Sequence, residues 1–442
     1  MDNLGGAERS LVDFLDQWRA AVPGLELFVI SRAPEGHLQR ELDRRGIPWM
    51  NLAFHSLVRH RRATTPAEIY SSARDDFAAV RAIERFITEF GAELVVTNTI
   101  VAPWAALAAK LVGVPHVWFA REFGDGHEFQ IPRDDVFSDI GLLSDLVVTN
   151  SRTLREFLSE WIDPAKIAVL YPRLEATTPG GESNAAGWPF ASTDPDALRL
   201  VCVGRIAESK GQARLVRAAA QLKREGVAVE VALVGSATDE DRRRIEELIG
   251  ELAVDDRVAL TGESSNPSAY VTAADAGVVV SDSEGFGRVT VEYMAADRPV
   301  VGAATGATVE LVEHGVTGLL FEPGDVASLA EAIRSYALDR AKVSRHGAAA
   351  GRALREDIVA RHTLADLLPR LTSVVKDGSA PLTTLPKVFA SWMTLPATTF
   401  DLLVSSGSMV DPRTSRTWRI GDLALAAPRK AAALLRRAGV RA

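Results

Sequence analysis

The chain has 442 residues, 47% hydrophobic and 24% charged, with a formal net charge of −8. These proportions describe a soluble globular protein of two or three domains at about 150 residues each, and the acidic balance excludes bulk-charge attraction to nucleic acid or anionic lipid. The single cysteine, Cys202, excludes an internal disulfide framework and fits a reducing compartment. No run nears the ~20 apolar residues of a membrane span, and no signal peptide is legible, so a cytoplasmic location is expected.

Residues 4–20, LGGAERSLVDFLDQWRA, open with two glycines and continue as an amphipathic helix, followed by a strand in LELFVIS at 25–31. Thr65 is the expected N-cap of the next helix, with Pro66 its first residue and Glu68 the return partner of a capping box. That helix runs to about Phe90 and stops at Gly91. AELVVTNT (92–99) is an apolar strand, followed by an Ala-rich helix in PWAALAAKLVG and a strand in PHVWFA. SDLVVTNS (144–151), a helix through LREFLSEW and the strand KIAVLY repeat the unit. Strands alternating with helices of this length predict parallel βαβ units, and continuously apolar strands predict a sheet covered on both faces.

Residues 173–195, rich in Pro, Gly, Ser and Thr, read as an interdomain linker. The alternation then resumes: LRLVCVG, a helix from Lys210 to Glu225, VAVEVALVG, a charged helix from Asp239 to Leu252, RVALTG, a short helix, AGVVVS, a helix in RVTVEYMAA, PVVG, and a helix from near Asp325. The expectation is α/β, with two doubly wound domains facing across a cleft and ligands at the carboxyl ends of the strands.

Two stretches carry chemistry. In VGRIAESKGQ, Arg205 and Lys210 fall on a strand-to-helix turn, where two cations and free backbone N–H groups suit an anion such as a diphosphate. Taken alone, such a pair is more often solvated surface charge. Neither a Walker sequence nor G-x-G-x-x-G is present, which leaves P-loop and ordinary dinucleotide readings unsupported. In SDSEGFGRVTVEYMAADRPVVG, Glu284 and Glu292 stand with seven residues between them, and Gly285 and Gly287 permit close backbone approach. Glu284 is placed for sugar hydroxyls, Glu292 for a ribose, and the N–H groups near Arg288 and Val289 for a phosphate. The competing reading is a capping acid and an exposed helix glutamate.

The run VGRIAESKG, LVG and TGESSNPSAYVTAADAGVVVSDSEGFGRVTVEYMAADRPVVGAATGATVELVEHGVTGLLFEPGD resembles the retaining nucleotide-sugar glycosyltransferases of the GT-B fold, in particular the large bacterial Glu-x7-Glu group. The likeness is nearly unbroken over 198–340 and looser over 4–172. It implies two Rossmann-like domains: an acceptor-side domain over 1–172, and a donor domain over 196–375 whose final helix crosses back. Residues 376–442 form an extension.

By the same resemblance, Arg205 and Lys210 bind the donor diphosphate and steady the departing nucleotide, and Glu284 contacts the donor sugar. Glu292 contacts the ribose, and Gly285, Phe286, Gly287, Arg288 and Val289 cradle sugar and phosphate. Gly235, Gly262 and Glu263 lie at the base, and Gly5 and Gly6 approach the donor phosphates. No metal or other cofactor is implied. The partners implied are a nucleotide-sugar donor and a glycan or lipid-linked acceptor, with no nucleic acid.

Three features depart from the pattern. Relatives often carry a histidine after the strand that here reads PHVWFAREFGDGHEF. In its place stand Arg121 and Glu122, between His116 and His127. Arg121, Glu122 and His127 are possible acceptor or sugar contacts, and an Arg121–Glu122 structural pair is the equal alternative. Only Met1–Leu4 precede the glycine loop where relatives have a strand. The expectation is a start lying upstream, an excised domain, or a sheet without that strand, with an exposed neighbouring edge. Finally, residues 411–442 hold Arg413, Arg416, Arg419, Arg429, Lys430, Arg436, Arg437 and Arg441 against Asp411 and Asp422, a balance of +6. Contact with the inner face of an anionic membrane, docking on a neighbouring domain and a solvated tail all stay open. The function expected is retaining sugar transfer. A catalytically silent GT-B binding module and a nucleotide-sugar epimerase are the rivals.

Overall fold

A computed structural model of the chain describes residues 6–32, 36–58, 66–125, 127–129, 131–172, 188–190, 194 and 196–388, with backbone alone at 66–70. Gly5, Thr65, nearly all of the linker and residues 389–442 lie outside the described residues, as do the expectations that fall on them.

The first domain runs α1 (Gly6–Ala21), β1 (Val29–Arg32), α2 (His37–Arg44), β2 (Trp49–Leu52), α3 (Pro66–Phe90), β3 (Val95–Thr97), α4 (Trp104–Val112), β4 (His116–Ala120), α5 (Arg133–Leu143), β5 (Leu146–Thr149), α6 (Arg152–Leu158) and β6 (Ile167–Val169). All pairings are parallel, but they form two sheets. One is β1-β2, the other β3-β4-β5-β6, and no ladder joins β1 to β3. The strands keep the period of two that a buried sheet demands. Val117, Phe119, Leu146 and Val148 face one cluster with Phe14, while Trp118, Ala120 and Val147 face another with Leu107 and Ile140.

The second domain runs β7 (Leu198–Val203), α7 (Gln212–Arg224), β8 (Val229–Val234), α8 (Asp239–Glu251), β9 (Val258–Gly262), α9 (Pro267–Ala273), β10 (Ala276–Val279), α10 (Arg288–Ala295), β11 (Val300–Ala303), α11 (Thr308–Leu311), β12 (Gly318–Phe321), α12 (Val326–Leu338) and α13 (Arg340–Glu356). Its parallel sheet has the order β12-β11-β10-β7-β8-β9, so the winding reverses between β7 and β10. Such a switch point opens a crevice at the carboxyl ends of the strands.

The helix expected from Lys210 begins later. Lys210 closes a 3-10 turn over Glu208–Lys210, Gly211 takes φ +72°, and α7 starts at Gln212. A side chain at Gly211 would be both strained and within 2.3 Å of the Val280 carbonyl, so the break is built into the backbone.

After α13 the chain returns to the first domain. Thr363 and Asp366 form a capping box that starts α14 (Leu364–Asp377), and Leu364, Leu367 and Leu371 are buried beside Val117 and Phe119. Beyond α14, Ala380 N donates to Asp145, and Lys387 N and Val388 N donate to Asp139 at 2.7 and 2.8 Å. Val388 ends the described chain buried against the first domain. Among the described residues no helix is long and apolar enough to cross a membrane.

Candidate functional site

A cavity of about 380 Å³ lies between the domains at the switch point. Its second-domain wall comes from the ends of β7 and β10, where Gly204, Lys210, Ser281 and Glu284 meet the N-terminus of α10. Gly287, at φ +76°, caps α10 without a side chain. The first-turn N–H groups of a helix lack intrahelical partners, and Arg288 and Val289, the first residues of α10, line the cavity.

Lys210 Nζ lies 2.5 Å from Glu284 Oε1, with the two side chains 33% and 14% exposed. Ser281 Oγ also donates to Glu284 Oε1, at 2.5 Å. The Glu284 carbonyl accepts from Ala307 N at 2.9 Å, bracing the acidic loop from beneath. The ammonium and carboxylate thus hold each other at the cavity wall. An anion would draw Lys210 away, and a hydroxyl would engage Glu284.

The first domain contributes Gly6, Ser10, Arg121, Glu122 and Asn150 to the lining. Arg121 Nε donates to Asn98 Oδ1 at 2.6 Å, and the Arg121 carbonyl accepts from Asn150 Nδ2 at 3.1 Å. Its guanidinium lies over the Phe119 ring at 5.3 Å. Burial first, and then the like charge of Arg288, push Arg121 down to about 10, with Asp13 and Glu122 opposing. Arg121 engages Asn98 where pairing with Glu122 was the alternative. His116 is fully buried, bonded to Thr97 Oγ1 at 2.8 Å, and burial pushes it down to about 3. It is therefore a neutral core group. His127 stands exposed beside Phe129, outside the lining.

The domains touch at this site. Arg288 donates to Ser10 Oγ at 3.3 Å and Asp13 Oδ2 at 3.1 Å, and Arg9 lies 4.0 Å from Glu292. Deeper in, Phe286 packs on Tyr171, whose hydroxyl donates to Glu310 at 3.0 Å. Glu310 also accepts from the backbone N–H groups of Arg152 and Thr153 at the start of α6.

Of the sequence-predicted residues, the cavity gathers Gly6, Lys210, Glu284, Gly285, Phe286, Gly287, Arg288, Val289, Arg121 and Glu122. Arg205 is exposed on the turn, with its carbonyl held by Gln212 Nε2 at 3.0 Å, and lies outside the lining, as does Glu292. Gly235 and Gly262 meet at the strand ends through Gly235 N donating to Gly262 O at 2.9 Å, and Glu263 is exposed there. Sequence reasoning missed Ser10, Asp13, Ser281 and the two asparagines. The asparagines had a signal in the repeated VVTN of 95–98 and 147–150, which places an amide at the end of β3 and of β5.

Residues 189–353 match the family described as Glycosyl transferases group 1, and residues 4–173 match Glycosyltransferase Family 4. The chain belongs to the GT-B glycosyltransferases of the family 4-like kind. This GT-B chain is 31% identical over 228 residues to a glycogen synthase of Mycobacterium tuberculosis, an alignment covering 48% of this chain and 50% of that protein. The chain thus spans about half the length of the curated relatives it matches first. With the D-inositol 3-phosphate glycosyltransferase 1 of Catenulispora acidiphila it shares 27% identity over 361 residues, covering 74% of this chain and 81% of that one. Among solved structures, the GT-B fold is shared with Anabaena Alr3699/HepE in complex with UDP and glucose. That match has a TM-score of 0.64 and 22% identity, and covers 85% of this chain and 97% of the other.

Proposed function

We propose that the chain transfers a sugar from a nucleoside-diphosphate sugar to a glycan or lipid-linked acceptor, with retention of configuration and without a metal, in the building of a cell-surface polysaccharide or glycolipid. The observation that carries this reading is the Lys210–Glu284 pair at 2.5 Å beside the N-terminus of α10, in a cavity walled by both domains. A diphosphate settles on Lys210 and the first N–H groups of α10, and the donor sugar reaches Glu284. As the bond to the anomeric carbon breaks, that carbon gains oxocarbenium character and the departing diphosphate gains charge. Lys210, drawn from Glu284 to the diphosphate, and the helix N-terminus stabilise that charge. Arg205, exposed on the same turn, joins them by rotating its side chain inward. The acceptor approaches from the first-domain wall, past Arg121 and Glu122. Relatives titled as glycogen synthase and as lipopolysaccharide core glycosyltransferase support the broad reaction class.

A second reading, a binding module without turnover, is favoured by the divided first-domain sheet. Calorimetric titration with UDP-, GDP-, ADP- and TDP-sugars, followed by a hydrolysis and transfer assay, separates the two. Saturable binding with turnover supports the enzyme, binding without turnover the module, and no binding by any donor sinks both.

The basic segment 411–442 is proposed to touch an anionic membrane surface. Deleting it is expected to reduce sedimentation with phosphatidylserine or phosphatidylglycerol vesicles by several-fold at low salt and hardly at all at 0.5 M salt. Undiminished vesicle binding after the deletion removes this idea.

A further inference from the structure

The Glu284 loop meets the first-domain wall of the cavity where the Arg121 carbonyl, held by Asn150, faces Gly285. The side-chain bridges beside that contact are open to water. Arg288 and Asp13 are 25% and 28% exposed, and Arg9 and Glu292 are more exposed still. Pairs of this kind contribute little to holding two domains in register. A better-buried fastening lies behind them at Glu310, on α11, whose side chain is 4% exposed. Both of its oxygens are used across the domain boundary. Oε1 accepts from the Tyr171 hydroxyl at 3.0 Å and from Arg152 N at 3.2 Å, and Oε2 from Thr153 N at 3.0 Å and Thr153 Oγ1 at 3.1 Å. Burial, and then the Glu310 carboxylate, push the Tyr171 hydroxyl up to about 12, which keeps it a donor. A buried carboxylate that loses such donors is left unsatisfied, so the contact tolerates little sliding.

Each end of this fastening continues into the cavity. On the second-domain side, the turn that starts α11 carries the Glu284 loop. Ala307 N donates to the Glu284 carbonyl at 2.9 Å, and Thr305 Oγ1 donates to the Asp282 carbonyl at 3.1 Å. On the first-domain side, Arg152 follows closely on Asn150, the residue that holds the Arg121 carbonyl. Tyr171 packs on Phe286 of the cavity lining, with ring centroids 5.0 Å apart. Tyr171 N also donates to the His362 carbonyl at 3.0 Å, just before α14, so the chain leaves the first domain and returns to it at this same point. The path from Arg121 through Asn150, Arg152, Glu310 and Ala307 to Glu284 therefore closes on itself at Gly285.

We propose that Glu310 is a positioning residue: it stands behind the cavity and sets the register of Glu284 against the wall of Arg121 and Asn150. Its effect on the reaction rests on the sugar-transfer reading of the site, whereas its effect on the register does not.

Glu310→Gln, whose amide nitrogen would face donors on one side, and the milder Tyr171→Phe test this on the full chain. In the ligand-free protein, Glu310→Gln is expected to speed hydrogen–deuterium exchange about tenfold in 121–123 and 284–287 as well as in 152–154, while β5 and β8 stay slow. A purely local support would loosen 152–154 alone. Turnover is read with water as acceptor, on whichever of UDP-, GDP-, ADP- and TDP-glucose the unsubstituted protein hydrolyses. There kcat should fall about ten- to a hundredfold, because small misplacements at a reacting centre are that costly. The dissociation constant of the matching bare nucleoside diphosphate should stay within about twofold, since Lys210 and the start of α10 are separate from Glu310. Tyr171→Phe keeps the carboxylate and its Arg152 and Thr153 donors, so it should show the same pattern at smaller size even where Glu310→Gln fails to fold. Unchanged exchange at 121–123 and 284–287 overturns the proposal, as does unchanged kcat. A diphosphate affinity that falls in step with kcat also overturns it and makes Glu310 a support of the donor site alone. If the unsubstituted protein binds none of these diphosphates, the sugar-transfer reading falls instead, and the exchange measurement still decides the register.

Discussion

Gly285→Ala is expected to weaken nucleotide-sugar binding roughly 5- to 150-fold while both domain cores stay folded. A Cβ at this position would stand 2.0 Å from the Arg121 carbonyl oxygen and 3.3 Å from Asn150 Nδ2. The obstacle is backbone, and that backbone oxygen is itself held by the Asn150 amide at 3.1 Å, so it cannot turn aside cheaply. Overpacking of this kind costs about 1–3 kcal/mol, which is the range just given as a ratio. The strain falls on an interdomain contact rather than on either core. The domains are therefore expected to shift apart by up to the width of a methyl group, which loosens the first-domain wall of the cavity. Gly306→Ala makes the instructive contrast. Its Cβ would lie 2.5 Å from the Glu284 carbonyl, within the second domain, at a φ of +53°. That change should distort the Glu284 loop and leave the domain contact alone. Titration with the donor identified by the panel reads both variants, and small-angle scattering reads the separation. Unaltered affinity in Gly285→Ala would mean that the contact plays no part in binding.

Much of the second domain was legible because its chemistry is local. VALVG, VALTG and GVVVS are continuous apolar runs ending in glycine or serine, and each becomes a strand whose carboxyl end faces the cleft. The pair α2 and β2 was not legible. HLQRELDR has two apolar-face positions in eight residues, and WMNL carries an asparagine mid-strand that bonds Ser31 on β1 at 2.6 Å. Its strand character is conferred by that partner. Lys210 was placed at the right turn but on the wrong element, because nothing in SKGQ announces that Gly211 will break the helix. The cleft contacts were beyond sequence reasoning for a different cause. Arg288 meets Ser10 and Asp13 across separations of 278 and 275 residues, and no periodicity links positions so far apart.

Lys210→Ala and Glu284→Gln should move nucleoside-diphosphate affinity in opposite directions, although the two side chains share one contact. In the unliganded site Lys210 is engaged by Glu284 at 2.5 Å, and Glu284 is additionally held by Ser281. A diphosphate must compete with that carboxylate for the ammonium and must also approach its negative charge. Removing Lys210 takes away a charge-assisted bond worth about 1.5–3 kcal/mol, so affinity for both the nucleotide and the nucleotide sugar should fall roughly 10- to 150-fold. Replacing the Glu284 carboxylate with an amide of the same shape frees the ammonium and removes the repulsion, so the bare nucleoside diphosphate should bind as well or several-fold better. The sugar-bearing donor should not share that gain, because the lost carboxylate is the group proposed to hold its hydroxyls, and transfer should slow by about a hundredfold or more. Calorimetry with diphosphate and with donor, on both variants and the double variant, separates these effects. A Glu284→Gln protein that binds the bare diphosphate more weakly would place Glu284 in structural support of Lys210. The contact with the sugar would then have to be sought among the first-domain residues Arg121 and Glu122.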